Sequence, residues 1–592
     1  MFALNVKRFV KSPLFVAGTA CYLGVLYFLL PVHRVSGIED MSNSTLTTLP
    51  FSFLFFMTIS YEFFYRIRAE HLQEVIVISP MGQIREKSYG VLLFTIFDFI
   101  LYLVFWAMSV QGTTSVLGVV NADWFLLLAK SFFIYHFLFY FFAILVGLLV
   151  SFVTSRLKAF GILVTVFALF SKIMLPIIMR CVNGSQTWTH FFDIFGIMNR
   201  NYYLFCDLFY NYSAESVNVQ RIMFWILLSL SILSLIGMSG KKHLVTAVMF
   251  LCTGITFVLY IQPAGYRYNG GDWGSYMEEQ QYYMLEYEND RYGIGRSYKE
   301  ADFHVLKYEG RLWAERVLRA SVGVTVDKSD LEEYCFTLYH GYEIKKVTDQ
   351  NENHLEFEQN GDHVRVYSTG RPVAEICFEY AGYSRKYVAT SQAVFLGGNF
   401  PYLPQPGWNV YSTQPVEVFD DPQIDASWDR EHELKGLGYQ TVFDVWVETG
   451  QKVYSNLTET EASHFTGVSE GATFVACPFV KEMKIDNCTL YYSELCAPYM
   501  NSRIQQKKEN FQQILGDYPA LKNKENLKIF DLVFMGDGDP VYFFASDHLI
   551  ADDDKIAECY FYYLKYGETP TYTDMEKESG EFADESEGRD VE

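Results

Sequence analysis

At 592 residues and a formal net charge of −22, the chain is long enough for more than one domain, and its acidity argues against a nucleic-acid partner. The charge is segregated: residues 1–270 hold 18 Lys+Arg against 11 Asp+Glu, and the remainder holds 29 against 58. That split excludes one uniformly soluble body and implies two solvents, a membrane for the first part and water for the second.

Seven apolar runs occupy the first part, at 14–31, 50–65, 89–110, 124–153, 159–179, 222–238 and 243–261. A spanning helix needs about 20 mostly apolar residues, so 50–65 and 222–238 depend on their flanks. Lys7, Arg8 and Lys11 precede the first run without a small-residue cleavage site after it, which reads as a retained anchor. Residues 1–12 read either as a short amphipathic helix on the inner membrane face or as the polar start of the first span. Arg66, Arg68, Arg85 and Lys87, then Arg156 and Lys158, then Lys241 and Lys242 mark alternate loops as basic. This pattern predicts a cytoplasmic N-terminus and, after seven crossings, an extracytoplasmic stretch 262–592.

The segment 61–87 predicts a charged cytoplasmic loop, with Glu62, Arg66, Glu70 and Glu74 at helical spacing and Pro80 ending or restarting a helix. It suits contact with a cytoplasmic partner, or simply solvation. Asp98, Lys130, His136 and Lys172 fall in or near apolar runs. Lysines there can snorkel to an interface, which leaves Asp98 as the candidate intramembrane polar site. The aromatic stretch within 180–221 predicts interfacial or re-entrant helices.

From about residue 300 the period changes to short alternating strands, among them Ala320–Val326, Tyr334–Tyr339, His363–Ser368, Glu375–Tyr380 and Thr441–Glu448, with turns at Asn360-Gly361 and Thr449-Gly450. This predicts a β-sandwich. A helix follows at 500–516, then strands near 527–534 and 540–545, and a disordered acidic tail at 567–592. The ten cysteines show no zinc spacing and read mainly as buried free thiols, with Cys488–Cys496 a candidate pair. Asp547, His548 and Asp552–Asp554 read as a solvated acidic turn or a cation cluster. Trp408 and Tyr411 read as core or as groove residues.

Two resemblances follow. Residues 1–240, with the basic start KRFVKSPLF (7–15) and the charged loop carrying Glu62, Arg66, Glu70, Glu74, Pro80 and Lys87, resemble the permease subunit of a type-2 ABC exporter. That resemblance implies that the loop couples to ABC ATPase subunits, that ATP is bound by those partners and no cofactor by this chain, and that a second permease, the same or homologous, completes the pathway. It places the chain in a bacterial plasma membrane, in contact with the lipid bilayer. The stretches 324–348, 375–383, 400–411, 464–483 and 511–523 resemble the β-sandwich and the start of the catalytic domain of aminopeptidase-N-type zinc peptidases.

The chain departs from that second family. No HExxH is present; His432-Glu433 lacks the second histidine, so no metal or catalytic residue carries over. No GxxxxGK[ST] loop is present either. The expectation is a chain that is not itself an enzyme. The expected fold is a membrane α-helical bundle of six permease helices plus a seventh span, followed by a mainly β extracytoplasmic domain with a small α/β extension. The expected division is permease 1–240, seventh helix 241–261, linker 262–310, β-sandwich 311–498, truncated α/β segment 499–566 and tail 567–592. Three functions stay open: a subunit exporting a peptide or other amphipathic substrate, an extracellular antimicrobial-peptide sensor or resistance receptor, and a membrane-tethered peptidase completed by another chain.

Overall fold

The computed structural model describes residues 2–29, 38–70, 82–117, 122–170, 195, 206–207, 211–212, 216–236, 243–261, 299–409 except 316, 369, 385 and 386, 437–493 except 486 and 487, 527–531 and 543–551. These form two compact units, one of helices and one of strands.

The helical unit runs α1 (Phe2–Lys11), α2 (Pro13–Leu29), α3 (Ile38–Ala69), α4 (Gly82–Leu117), α5 (Ala122–Phe132), a π-helical turn (Phe133–Leu138), α6 (Phe139–Val150), α7 (Arg156–Phe170), α8 (Ser216–Ile236) and α9 (His243–Ile261). A two-residue ribbon, β1 (Cys206–Asp207) with β2 (Asn211–Tyr212), precedes α8. Among the described residues three helices are long and apolar enough to cross a membrane, Arg85–Gln111, Ala122–Val150 and Val219–Ile236. A fourth is available if α1 and α2, bent by 75°, act together. The expected six-plus-one count is therefore not reproduced. The run 50–65 is the middle of a longer helix, α3, whose end carries Glu62, Arg66 and Arg68. The run 159–179 is described only to Phe170, and Leu244–Leu259 is a shorter apolar helix.

α3 packs on α6 at the centre of this unit, with Phe53, Phe56, Met57, Ser60 and Phe63 completely buried. The contact needs a glycine on the facing helix. A Cβ on Gly147 would stand 2.4 Å from the Met57 carbonyl oxygen and 2.8 Å from the Tyr61 nitrogen. Close backbone approach through small residues, sealed by hydroxyl hydrogen bonds, is how helices associate where lipid removes the hydrophobic drive. Ser60 Oγ accordingly donates to the Ile144 carbonyl at 2.8 Å. Between α8 and α9 the hydroxyls of Ser231 and Thr253 meet at 3.0 Å, and those of Ser234 and Thr246 at 2.6 Å.

The strand unit contains β3 (Val305–Ala314), β4 (Leu318–Val326), β5 (Glu333–Thr337), β6 (Tyr342–Asp349), β7 (Glu356–Asn360), β8 (His363–Tyr367), β9 (Glu375–Gly382), β10 (Val394–Leu396), β11 (Gln405–Pro406), β12 (Thr441–Glu448), β13 (Val453–Ser455), β14 (Thr458–Glu461), β15 (His464–Ser469), β16 (Phe474–Ala476), β17 (Val480–Ile485), β18 (Cys488–Ser493), β19 (Lys528–Asp531), β20 (Phe543–Phe544) and β21 (His548–Ala551). Seven strands form one sheet in the order β14-β15-β12-β3-β4-β9-β6, antiparallel except for the β12–β3 pair. Its strands alternate buried and exposed residues, as in β12, where Phe443, Val445 and Val447 point inward. The buried face meets the four-stranded sheet β11-β5-β8-β7, with Phe336 edge-on to Phe378 at 5.2 Å. A three-stranded sheet, β10-β16-β13, adjoins them. The β7–β8 hairpin turns at Gly361, whose φ of +64° favours a residue without a Cβ.

The fifth sheet, β17-β18-β19-β21-β20, is mixed: β18–β19 and β19–β21 are parallel. It joins strands on both sides of 494–526, which lies outside the described residues, as do the helix expected at 500–516 and the tail at 567–592.

Candidate functional site

One end of the helical unit gathers charge from several helices. Glu62, about two turns before the end of α3, accepts from Arg66 Nε at 2.9 Å and from Arg156 Nη2 at 3.0 and 2.9 Å on its two oxygens. The (i, i+4) placement of Glu62 and Arg66 sets the first contact, and the turn between α6 and α7 delivers the second. Arg68 Nη1 donates to the Phe152 carbonyl at 2.8 Å, and Lys87 Nζ lies 4.1 Å from the centre of the Phe152 ring. Arg8 lies over the Phe63 ring at 5.0 Å and 4.0 Å from a Glu70 oxygen. Asn5 Nδ2 donates to the Glu86 carbonyl at 3.2 Å, fixing α1 to the start of α4.

The structure thus brings Glu62, Arg66, Glu70 and Lys87 to one end. Glu74 and Pro80 lie outside the described residues. Arg8, Arg68 and Arg156 join the network although the sequence marks them only as orientation charges. Their signal was the same basic-loop pattern, read for topology instead of contact. The segment from residue 61 to 69 is helix, not loop, because Phe63, Phe64 and Ile67 bury one side of it.

Asp98 lies apart from this end, on α4, fully buried, and neither carboxylate oxygen has a hydrogen-bond partner among the described residues. Its charge reaches the phenols of Tyr22 and Tyr140. Tyr22 donates to Ser52 Oγ at 2.8 Å, and Tyr140 is hydrogen-bonded with Ser52 and Thr48. His136 Nδ1, in the π-helical turn, is 2.9 Å from the Tyr140 hydroxyl. Lys130 is exposed, and Lys172 lies outside the described residues.

In the strand unit, Asp547 and His548 do not form a solvated turn. His548 is fully buried; its Nδ1 is 2.9 Å from Asp547 Oδ1 and its Nε2 is 2.8 Å from Thr473 Oγ1. Asp547 also accepts from Ser469 Oγ at 2.9 Å and Asn456 Nδ2 at 2.8 Å. Burial alone would push the Asp547 carboxyl up, but hydrogen bonds from His548, Asn456 and Ser469 outweigh it and hold the group below the ordinary range. Lys528, pushed down by burial against the charges of Asp547 and Glu482, donates to the carbonyls of Ser455 and Leu457, both at 2.9 Å. These bonds clamp the mixed sheet to the sandwich. Asp552–Asp554 and His432-Glu433 lie outside the described residues, and among the described residues no group of three or more His, Cys, Asp or Glu is placed to hold a metal.

Trp408 is held between His363, stacked at 5.2 Å, and the cations of Lys299 and Arg365 at 5.5 and 5.0 Å. Tyr411 lies outside the described residues. Cys21, Cys252, Cys335, Cys377, Cys477 and Cys488 are free thiols; Cys335, Cys477 and Cys488 are buried, and burial pushes the half-buried Cys377 thiol up to about 11. Cys496 lies outside the described residues.

No family model matches the chain, and no curated protein matches it. Solved structures do show similarity. Leukotriene A4 hydrolase from Saccharomyces cerevisiae aligns with TM-score 0.28 and 12% identity over 43% of this chain and 41% of its own. An M1 zinc metallopeptidase from Deinococcus radiodurans aligns with TM-score 0.27 and 12% identity over 43% and 62%. A point mutant of that enzyme bound to a Tyr-Ser-Ala substrate gives 0.28 and 13% over 43% and 61%. This chain therefore spans between about two-fifths and three-fifths of the length of these structures. They are of the kind the second resemblance named, at a level too low to assign a family. No comparison bears on the permease resemblance. The expectation that the chain is not an enzyme is corrected by this finding, since the similar structures are those of zinc metallopeptidases. Physically, a missing HExxH excludes one ligand arrangement within one chain and does not exclude catalysis.

Proposed function

We propose that the chain is the permease-type subunit of an ATP-driven exporter of the type-2 ABC kind. Separate ATPase subunits would bind ATP, a second permease, identical or homologous, would complete the pathway, and the assembly would lie in a bacterial plasma membrane. The N-terminus would be cytoplasmic, residues 262–592 would lie outside, and the substrate would be a peptide or another amphipathic molecule. The observation that carries this reading is the charged end of the helical unit. Glu62 ties α3 to the start of α7, and Arg8 and Asn5 tie α1 to α3 and α4. A force applied to residues 71–81, between α3 and α4, would therefore move several helices together rather than unwind one. The strand unit would bind or guide the substrate, or hold the assembly together. Purification of the full chain from its native membranes in mild detergent tests this. The reading predicts an ATPase in near-equal amount whose recovery falls when Glu70 is reversed to Lys.

A second reading is a membrane-tethered peptidase, prompted by the enzymes named above. It requires stoichiometric zinc in the purified full chain and peptide hydrolysis that a chelator abolishes.

A further inference from the structure

Several polar atoms buried in the helical unit, Glu86 Oε1 and the Tyr61 hydroxyl among them, have no hydrogen-bond partner among the described residues, and at Asp98 this holds for both oxygens of a fully buried carboxylate. Nor does any charged side chain among them act on it. The titratable groups that face it are the phenols of Tyr22 and Tyr140, with His136 joined through Tyr140. A buried charge without compensation costs several kcal/mol or more, and is kept only where something neutralises it.

The neighbours cannot do so with their own hydrogens. The Tyr22 hydrogen is given to Ser52, and the hydroxyls of Ser52, Thr48 and Tyr140 are engaged with one another and with His136. Each hydroxyl has one hydrogen and two lone pairs, and a carboxylate has only acceptors. The cluster therefore holds more acceptors than donors. It is assembled from four separate parts of the unit: α2 (Tyr22), α3 (Thr48, Ser52), α4 (Asp98) and the π turn with α6 (His136, Tyr140). The turn is itself a departure from α-helix at Phe133–Leu138, and such single turns recur at functional sites.

We propose that this cluster binds a monovalent cation, a proton or a sodium ion, on the carboxylate of Asp98, with the oxygens of Tyr22, Ser52, Thr48 and Tyr140 completing the surroundings. Oxygen-only groups in a water-poor site suit a small hard cation. Because the site joins four parts of the helical unit, occupancy favours whichever arrangement of the helices closes around it. The site does not depend on the transport reading, and its test needs no ATPase.

The experiment follows the thermal unfolding midpoint of the full-length chain in detergent, in sodium, potassium or choline chloride at equal ionic strength and across a pH series. Wild type is compared with Asp98→Asn and Tyr22→Phe. A sodium site gives a midpoint that rises with sodium against choline in wild type, not in Asp98→Asn, and needs several-fold more sodium in Tyr22→Phe. A proton site gives a pH dependence that is the same in all three salts and is missing from Asp98→Asn. Parallel responses of wild type and Asp98→Asn to both sodium and pH would overturn the proposal. Should Asp98→Asn not fold, infrared difference spectra of wild type alone decide. A buried-carboxyl band that changes with sodium or pH supports the site, and its absence overturns it.

Discussion

Replacing Glu62 by Gln tests whether the charged end of the helical unit is a mechanical joint. The amide keeps the size of the side chain but removes the charge that Arg66 and Arg156 share. The Glu62 side chain is 14% exposed, Arg66 33% and Arg156 55%. A fully exposed pair contributes about 0.2–1 kcal/mol, and a hydrogen bond to a charged group about 1.5–3 kcal/mol. With the acid shielded and Arg156 open to water, Glu62→Gln should cost ~2 kcal/mol, of which the Arg156 contact carries ~1 kcal/mol. The assay is a double-mutant cycle of Glu62→Gln and Arg156→Ala in the full-length chain, read by unfolding in detergent and repeated in high salt. A coupling of about 1 kcal/mol that shrinks with salt is expected. Costs that add to within about 0.3 kcal/mol would show that the two residues do not work together, and the joint would not exist.

Gly147→Ala should destabilise the helical unit by about 1–3 kcal/mol or prevent its assembly, because the new methyl meets the backbone of α3. Gly161→Ala, with nothing within 4 Å, should be neutral or slightly stabilising; equal effects at the two glycines in unfolding assays would contradict the packing. In the strand unit, the lowered Asp547 carboxyl stabilises the fold above its unfolded value of about 3.9, and this is lost as pH falls through the folded value. Asp547→Asn should therefore be less stable at neutral pH and lose less on acidification below about pH 4, as followed by tryptophan fluorescence.

The strands were largely legible in the sequence because one face of each is wet. The alternation marks β12 at its full length, and β8 and β9 to within two residues, since period two needs no tertiary information. The parallel pairing of β12 with β3 was not legible, because a contact between residues more than 130 apart leaves no local pattern. Within the helical unit, the charged stretch after residue 61 looked like loop. Its polar side was visible in the composition, while the burial of Phe63, Phe64 and Ile67 depends on helices elsewhere. Asp547 and His548 misled for the opposite reason. Their neighbours at 552–554 are acidic, yet the strand ladder carries His548 into the core, where its Nε2 meets Thr473 beside β16, while Asp547 accepts from Ser469 at the end of β15. Asp98 stood out from the sequence as a charge within an apolar run. The hydroxyls around it did not, because Thr48, Ser52 and Tyr140 are unremarkable in their own helices and meet only through packing.

We propose that this chain works with a separate ATPase, and what accompanies it out of the membrane tests that. Purification of the full-length chain from native membranes, followed by identification and quantification of its partners, should return an ATPase in near-equal amount, with recovery reduced by Glu70→Lys. Recovery of the intact chain with no ATPase would contradict the proposed function.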